Sequence, residues 1–303
     1  MKYINYFVII ILGKEIVIDN CCGMFMNKLT FLTKGQVFGA NKIDIIKQYG
    51  SKCSISDFAI LLDGFVLNSY HVFGGYGLED RTGMWFTKSS YNSNSVFIVD
   101  HRGCKNITDN LRRQCGARPV LLWDSFNSHL KDKLKQNIFE IEHGEYPQCI
   151  VSESFSRKLE LLYDLNELNC TGKIYTLDSA RKINSNALFM ARDFVEYEYE
   201  GKKYIRFVTD NSYCNGNLLS DGRKIYPNYV YWIKVEAIKW IIDLDMNIGL
   251  SKNILFSGIQ YNNYNKSNSN FEESDIYIFM NEIFINDIIP SKNKSKKLIK
   301  NYR

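Results

Sequence analysis

The sequence predicts an α+β protein in which one mixed domain is followed by a second, β-rich α+β domain. Three observations carry this expectation. The 303 residues are enough for two ordinary domains, each able to bury its own core. The composition, 45% hydrophobic and 23% charged, is that of a globular chain. The aromatic content is 14%, with 20 Tyr and 19 Phe, and it falls with Ile and Val in short strand-favouring runs between a few stretches of helical spacing.

Taken in order, the apolar run Phe7 to Leu12 is followed at once by Lys14 and Glu15. It is too short to span a bilayer and lacks a small-residue cleavage site, so neither a transmembrane segment nor a signal peptide is expected. A cytoplasmic or virion-associated setting is expected over secretion. Residues 1–29 read as a strand region turning at Gly13-Lys14, with Met26 an alternative start. Lys42 to Tyr49 places Ile43, Ile46 and Tyr49 at helical spacing and stops at Gly50. Ser56 is an N-cap for a second helix through Leu62, with Asp57 in its first turn and Gly64 at its end. Asn68 to Asp80 is a glycine-rich loop without the Gly-Lys-Ser/Thr ending of a phosphate loop. Met84 to Thr87 and Val96 to Asp100 flank a Ser/Asn cluster and read as a hairpin. Gly116 to Trp123 reads as one buried closing strand.

Asn127 to Lys135 is polar, and 127–140 is read as a linker between a domain at 30–126 and another at 141–290. In the latter, Leu159 to Leu165 is a short helix, and Glu196 to Thr209 a hairpin about Glu200-Gly201-Lys202. Tyr229 to Ile242 is one or two strands and Asn247 to Ile259 a further pair. Ser274 caps a helix whose apolar face is Ile276, Phe279, Met280, Ile283 and Phe284.

Charge and cysteine usage narrow the function classes. The net charge is +5, but Lys292, Lys294, Lys296, Lys297, Lys300 and Arg303 all lie in the basic tail 291–303; without those six the rest carries about −1. A basic stripe on the body, the footprint of a nucleic-acid binder, is missing, so no nucleic-acid partner is expected. The eight cysteines show no CxxC pair and no Cys/His zinc spacing, and in a chain of this size they read as reduced thiols. His71, His129 and His143 have no metal-ligand spacing. Carboxylate pairs such as Glu79-Asp80, Glu272-Glu273 and Asp243-Asp245 fit turns and caps. Asp80 and Asp100 do not lie in an acidic loop of calcium-site spacing. No cofactor, metal or catalytic set is expected.

Ser56 to Leu62 with Gly64, then Asp80-Arg81-Thr82-Gly83-Met84-Trp85-Phe86-Thr87-Lys88-Ser89, then Gly116-Ala117-Arg118-Pro119-Val120 recur in a characteristic order. That order resembles the C-type-lectin-like superfamily, in particular the bacterial and phage branch of formylglycine-generating-enzyme-like and phage receptor-binding domains. The resemblance covers about a third of the chain and implies a lectin-like fold for 30–126. Gly144 to Gln148, Val235 to Trp240, Leu250-Ser251-Lys252 and the Phe279-Met280-Asn281 helix resemble uncharacterised domains of low-GC bacteria, which carry no implied activity. Within the lectin-like reading, Gly116 lets the chain turn, Arg118 braces neighbouring loops and Trp85 fills the core.

Binding is therefore expected over catalysis, with a glycan or protein as ligand; a homo-oligomer is compatible with this. The loops 68–80, 91–95 and 100–114 are expected together at one end, presenting Tyr70, Tyr76, Tyr91, Asn92, Asn94, Asn106 and Arg112 for adaptable recognition. Two alternatives stay open. One is a formylglycine-generating-type thiol oxidase using Cys104 and Cys115, a pair whose late position that family suggests. The other is a structural assembly protein without a small ligand.

Overall fold

The structure, a computed structural model, describes residues 7–11, 14–18, 26–62, 81–111, 114–123, 137–175, 193–209, 218–262 and 266–288. The N-terminal apolar run forms a hairpin of β1 (Phe7–Ile11) and β2 (Lys14–Ile18), with Phe7 opposite Ile18. After β3 (Met26–Thr30) come three short helices, each stopped or started by local chemistry. α1 (Lys34–Phe38) begins with a capping box between Thr33 and Gln36. α2 (Asp44–Tyr49) ends at Gly50, whose φ of 77° only glycine takes readily. α3 (Asp57–Leu61) is capped by Ser56, whose Oγ accepts from the Ala59 amide at 3.1 Å.

The strands β4 (Trp85–Asn92), β5 (Ser95–Val99), β6 (Lys105–Ile107), β7 (Gln114–Ala117) and β8 (Val120–Trp123) follow. Then come β9 (Ile138–Ile150), α4 (Glu153–Asp164), β10 (Asn169–Tyr175), β11 (Phe194–Tyr199) and β12 (Lys202–Val208). The β11–β12 hairpin turns where predicted: Glu200 and Gly201 take φ of 50° and 70°, the primed turn that suits right-handed strand twist. β13 (Val230–Asp243), β14 (Ile248–Ser251) and β15 (Phe256–Gln260) complete the strands. The chain closes with α5 (Asp275–Ile278), a π-helical turn (Phe279–Phe284) and α6 (Ile285–Ile288), started by Ser274 as the sequence predicts.

Besides the two-stranded β1–β2 hairpin, the described residues form two larger sheets. One is eight-stranded, ordered β10-β11-β12-β13-β14-β8-β3, with β9 also paired to β13; the other is five-stranded, ordered β15-β7-β4-β5-β6. Each therefore draws strands from both sides of residues 127–140. A single apolar cluster joins them, running from Leu29 and Phe58 through Trp85 and Trp240 to Phe256, Met280 and Phe284. A smaller one seats α4 on β12 and β13 through Leu159, Tyr204 and Trp232.

This corrects the expected α+β class: among the described residues the protein is mostly β-sheet with few helices. The physical reason is that α1, α2 and α3 are only five or six residues long, while the strands recruit partners far away in sequence.

The expected single closing strand Gly116 to Trp123 is also corrected. It breaks at Arg118-Pro119, so that β7 and β8 lie in different sheets. A second crossing, residues 252–255, takes the chain from β14 to β15, and the two crossings lie against each other. Ser251 N donates to Pro119 O at 2.9 Å and Leu255 N to Ala117 O at 3.1 Å. Arg118 is 2% exposed; its Nε donates to Ser251 O at 3.0 Å and its guanidinium lies 5.2 Å from the ring of the fully buried Trp85. Its bracing role is as predicted, although what it braces is this corner. Gly116 is demanded by closeness rather than turning. A Cβ there would stand 2.5 Å from Ile254 Cγ2 and 2.7 Å from Met84 O.

Candidate functional site

The hairpin β4–β5 and its edge neighbour β6 give one sheet face that is not fully covered. Alternation along β5 sends Val96 and Ile98 into the core and Phe97 to the opposite side, where it is half-buried. Phe97 pairs directly with Ile107 of β6, so the two side chains share that face. Tyr91, near the end of β4, meets Phe97 edge to face with ring centroids 5.4 Å apart. Tyr91 is 55% exposed and Ile107 40% exposed. The Lys34 ammonium, from α1, sits 4.6 Å over the Phe97 ring. Tyr91, Phe97, Ile107 and Lys34 thus form an accessible aromatic platform with one cation on its rim.

The platform is held by a firm backbone. Thr87 Oγ1 donates to Phe97 O at 2.7 Å, and the Lys34 amide donates to Ser89 Oγ at 2.9 Å. At the hairpin tip, Asn92 Oδ1 accepts from the Asn94 amide at 2.8 Å, an Asx turn that fixes the tip and leaves both exposed residues at its surface. Thr108 secures the edge, its amide donating to Val96 O and its hydroxyl accepting from Val96 N at 3.0 Å.

Of the residues singled out from sequence, Tyr91, Asn92 and Asn94 come together here. Asn106 does not join them. It pairs with the inward-facing Ile98 and so lies on the other face from Ile107, whose amide its Oδ1 accepts at 2.8 Å. Tyr70, Tyr76 and Arg112 lie outside the described residues, as do His71 and His129. The Asp100–Cys104 turn sits at the far end of β5 from the 91–95 tip, because the strand separates them. It is organised by Asp100, whose Oδ1 accepts from the amides of Arg102 and Cys104 at 2.9 and 2.8 Å. Burial acts to raise the Asp100 carboxyl, yet those amides and the Arg102 guanidinium outweigh it and hold the group below its ordinary range. Sequence reading missed Phe97, Ile107 and Lys34. Val96-Phe97-Ile98-Val99 is an unbroken apolar run, so no alternation in the sequence marks which of its side chains faces outward.

The structure places the two thiols singled out from sequence, Cys104 and Cys115, at opposite ends of one row of strands. Gly116, Trp85, Val99 and Lys105 form one row across β7, β4, β5 and β6. Cys115 and Cys104 flank its two ends, about 14 Å apart at three strand spacings, whereas a disulfide needs Cα atoms within about 7 Å. Cys115 is buried and Cys104 exposed. Burial of the Cys149 thiol group and the neighbouring Glu236 push it up to about 12, which favours the neutral thiol, although the residue as a whole is exposed. Burial lowers His101 despite Asp100 beside it, and the Asp100 carboxylate is already engaged by Arg102. Asp243 Oδ1 accepts from the backbone amides of Asp245 and Met246, and Glu273 from the side-chain amides of Asn268 and Asn270, which accounts for those acidic pairs as turn and cap groups. No group of three or more His, Cys, Asp or Glu among the described residues is arranged to hold a metal ion. No described helix is long and apolar enough to cross a membrane.

Comparison with known proteins returns no match: no family model, no curated protein and no solved structure matches the chain.

Proposed function

We propose that the chain is a non-catalytic recognition protein whose ligand, a glycan, docks on the platform of Tyr91, Phe97 and Ile107. The observation that carries this reading is the exposure of Tyr91 and Ile107 beside Phe97 on a face whose reverse is core. Aromatic faces take the apolar C–H face of a sugar ring, and the neighbouring Asn92 and Asn94 amides and the Lys34 ammonium suit hydroxyl groups. A rigid sheet carries the platform, so little conformational entropy is lost on binding. The resemblance of the ordered segments to the lectin-like superfamily points toward binding as well.

The test is a glycan array probed with the full chain, followed by the same array with Tyr91→Ala and Phe97→Ala. Signals that Tyr91→Ala abolishes, with the thermal unfolding midpoint retained, are expected. Array binding that survives both substitutions would remove the platform as the site, and an array without signal would favour a protein ligand.

A further inference from the structure

The eight-stranded sheet forks along β13. On one side β12 pairs with β13 as far as Lys234, and β14 joins only at Trp240. On the other side β9 pairs from Ile233 to Asp243, with register shifts between Ile233 and Val235 and between Ala237 and Lys239. Bulges and forks of this kind re-aim side chains and open space beside a sheet. Here a groove of about 590 Å³ lies over the fork, between β13, the start of β12 and the first turn of α4. Its volume is that of a site for a small organic ligand rather than an inorganic ion.

The lining chemistry narrows the ligand. Lys202, Lys203 and Lys234 face the groove with Glu145 and Glu236, and Phe155 supplies an aromatic wall. Lys203 and Glu145 are paired with each other. The remaining charges are two ammonium groups and one carboxylate. A polyanion alone would leave the Glu236 carboxylate facing like charge, and a neutral chain would leave the lysines without an anion. A ligand combining carboxylates with hydroxyl donors and an apolar ring face answers all three features.

We propose that this groove binds an acidic oligosaccharide, its carboxylates set against Lys202 and Lys234, its hydroxyls donating to Glu236 and one sugar ring lying on Phe155. The site is separate from the Tyr91 platform and does not depend on it.

The test is calorimetric titration of the full chain with an oligogalacturonate, a neutral malto-oligosaccharide of equal length and an oligoglutamate peptide. The oligogalacturonate is expected to bind at least about tenfold more tightly than either control, a difference of about 1.4 kcal/mol, and to weaken as salt is raised. Lys202→Met, at the exposed first position of β12, and Lys234→Met should each weaken it by about tenfold, while Asp44→Asn, on α2 and outside the groove, should leave it unchanged. Equal binding of the neutral chain, tighter binding of the peptide, or no binding of the oligogalacturonate would each overturn the proposal. Loss through Tyr91→Ala with Lys202→Met unaffected would instead place acidic sugars on the platform.

Discussion

Replacing Asp57 by asparagine should destabilise the fold far more than its near-identical shape suggests. The side chain is fully buried, and Arg81, its charged partner, is 22% exposed. Oδ1 accepts from Arg81 Nη2 at 2.6 Å and from the Ser220 amide at 2.7 Å. Oδ2 accepts from the Ile150 amide at 2.9 Å and from Ser220 Oγ at 2.6 Å. One carboxylate thereby ties α3 to the approach to β4, the end of β9 and the turn before β13. An asparagine in its place sets an NH₂ donor against the Ile150 N–H and strips the negative charge from beside Arg81. Leaving a buried amide unsatisfied costs about 1–3 kcal/mol, and breaking a buried ion pair by removing one partner costs about 3–5 kcal/mol. The two overlap, so a loss of about 3–5 kcal/mol is expected for Asp57→Asn. Urea denaturation followed by tryptophan fluorescence measures it. Asp44→Asn is the control: Asp44 pairs with Lys47 at 2.7 Å, but both side chains are more than half exposed, and the expected change is under about 0.5 kcal/mol. An Asp57→Asn protein within about 1 kcal/mol of the parent, the low edge of the unsatisfied-amide cost, would refute the reasoning.

Burial holds the His143 imidazole down to about 4 from its usual 6.5. Below the unfolded value the unfolded chain binds a proton that the folded chain refuses. Stability should be full above about pH 6.5 and fall, by up to about 3 kcal/mol, as pH drops toward 4. Comparing pH 7 with mildly acid denaturation curves for the parent and His143→Gln checks this, and equal slopes in both would contradict it. Gly116→Ala forces a methyl against Ile254 and the Met84 carbonyl, neither able to withdraw, and should cost at least about 1–3 kcal/mol. Gly201→Ala meets nothing within 4 Å and carries only the strain of φ near 70°, a cost of about 1 kcal/mol. Equal unfolding midpoints for the two variants would show that closeness at Gly116 is not limiting. Mild oxidation of the folded protein should leave Cys104 and Cys115 unlinked, and a peptide map containing that disulfide would overturn the three-strand separation of the two thiols.

What could be read from sequence alone had its cause within a few residues. The caps at Ser56 and Ser274, the stop at Gly50, the Glu200-Gly201 turn, the β4–β5 hairpin and the apolar spacing of 276–284 all depend on short-range dihedral preferences and on periods of two and 3.6 residues. The exposure of Tyr91, Asn92 and Asn94 at a hairpin tip follows from the same signals. Tertiary structure alone decided that β7 pairs with β15 and β8 with β14, that Arg118-Pro119 is a corner between sheets, and that Phe97 and Ile107 complete the Tyr91 platform. It also decided the burial of Asp57, which reads in sequence as an ordinary first-turn acid. Pairings between strands more than a hundred residues apart, such as Cys115 with Ile259, have no local signature. They arise from the summed packing of one shared core, and the same packing determines which side of an alternating strand is left facing solvent.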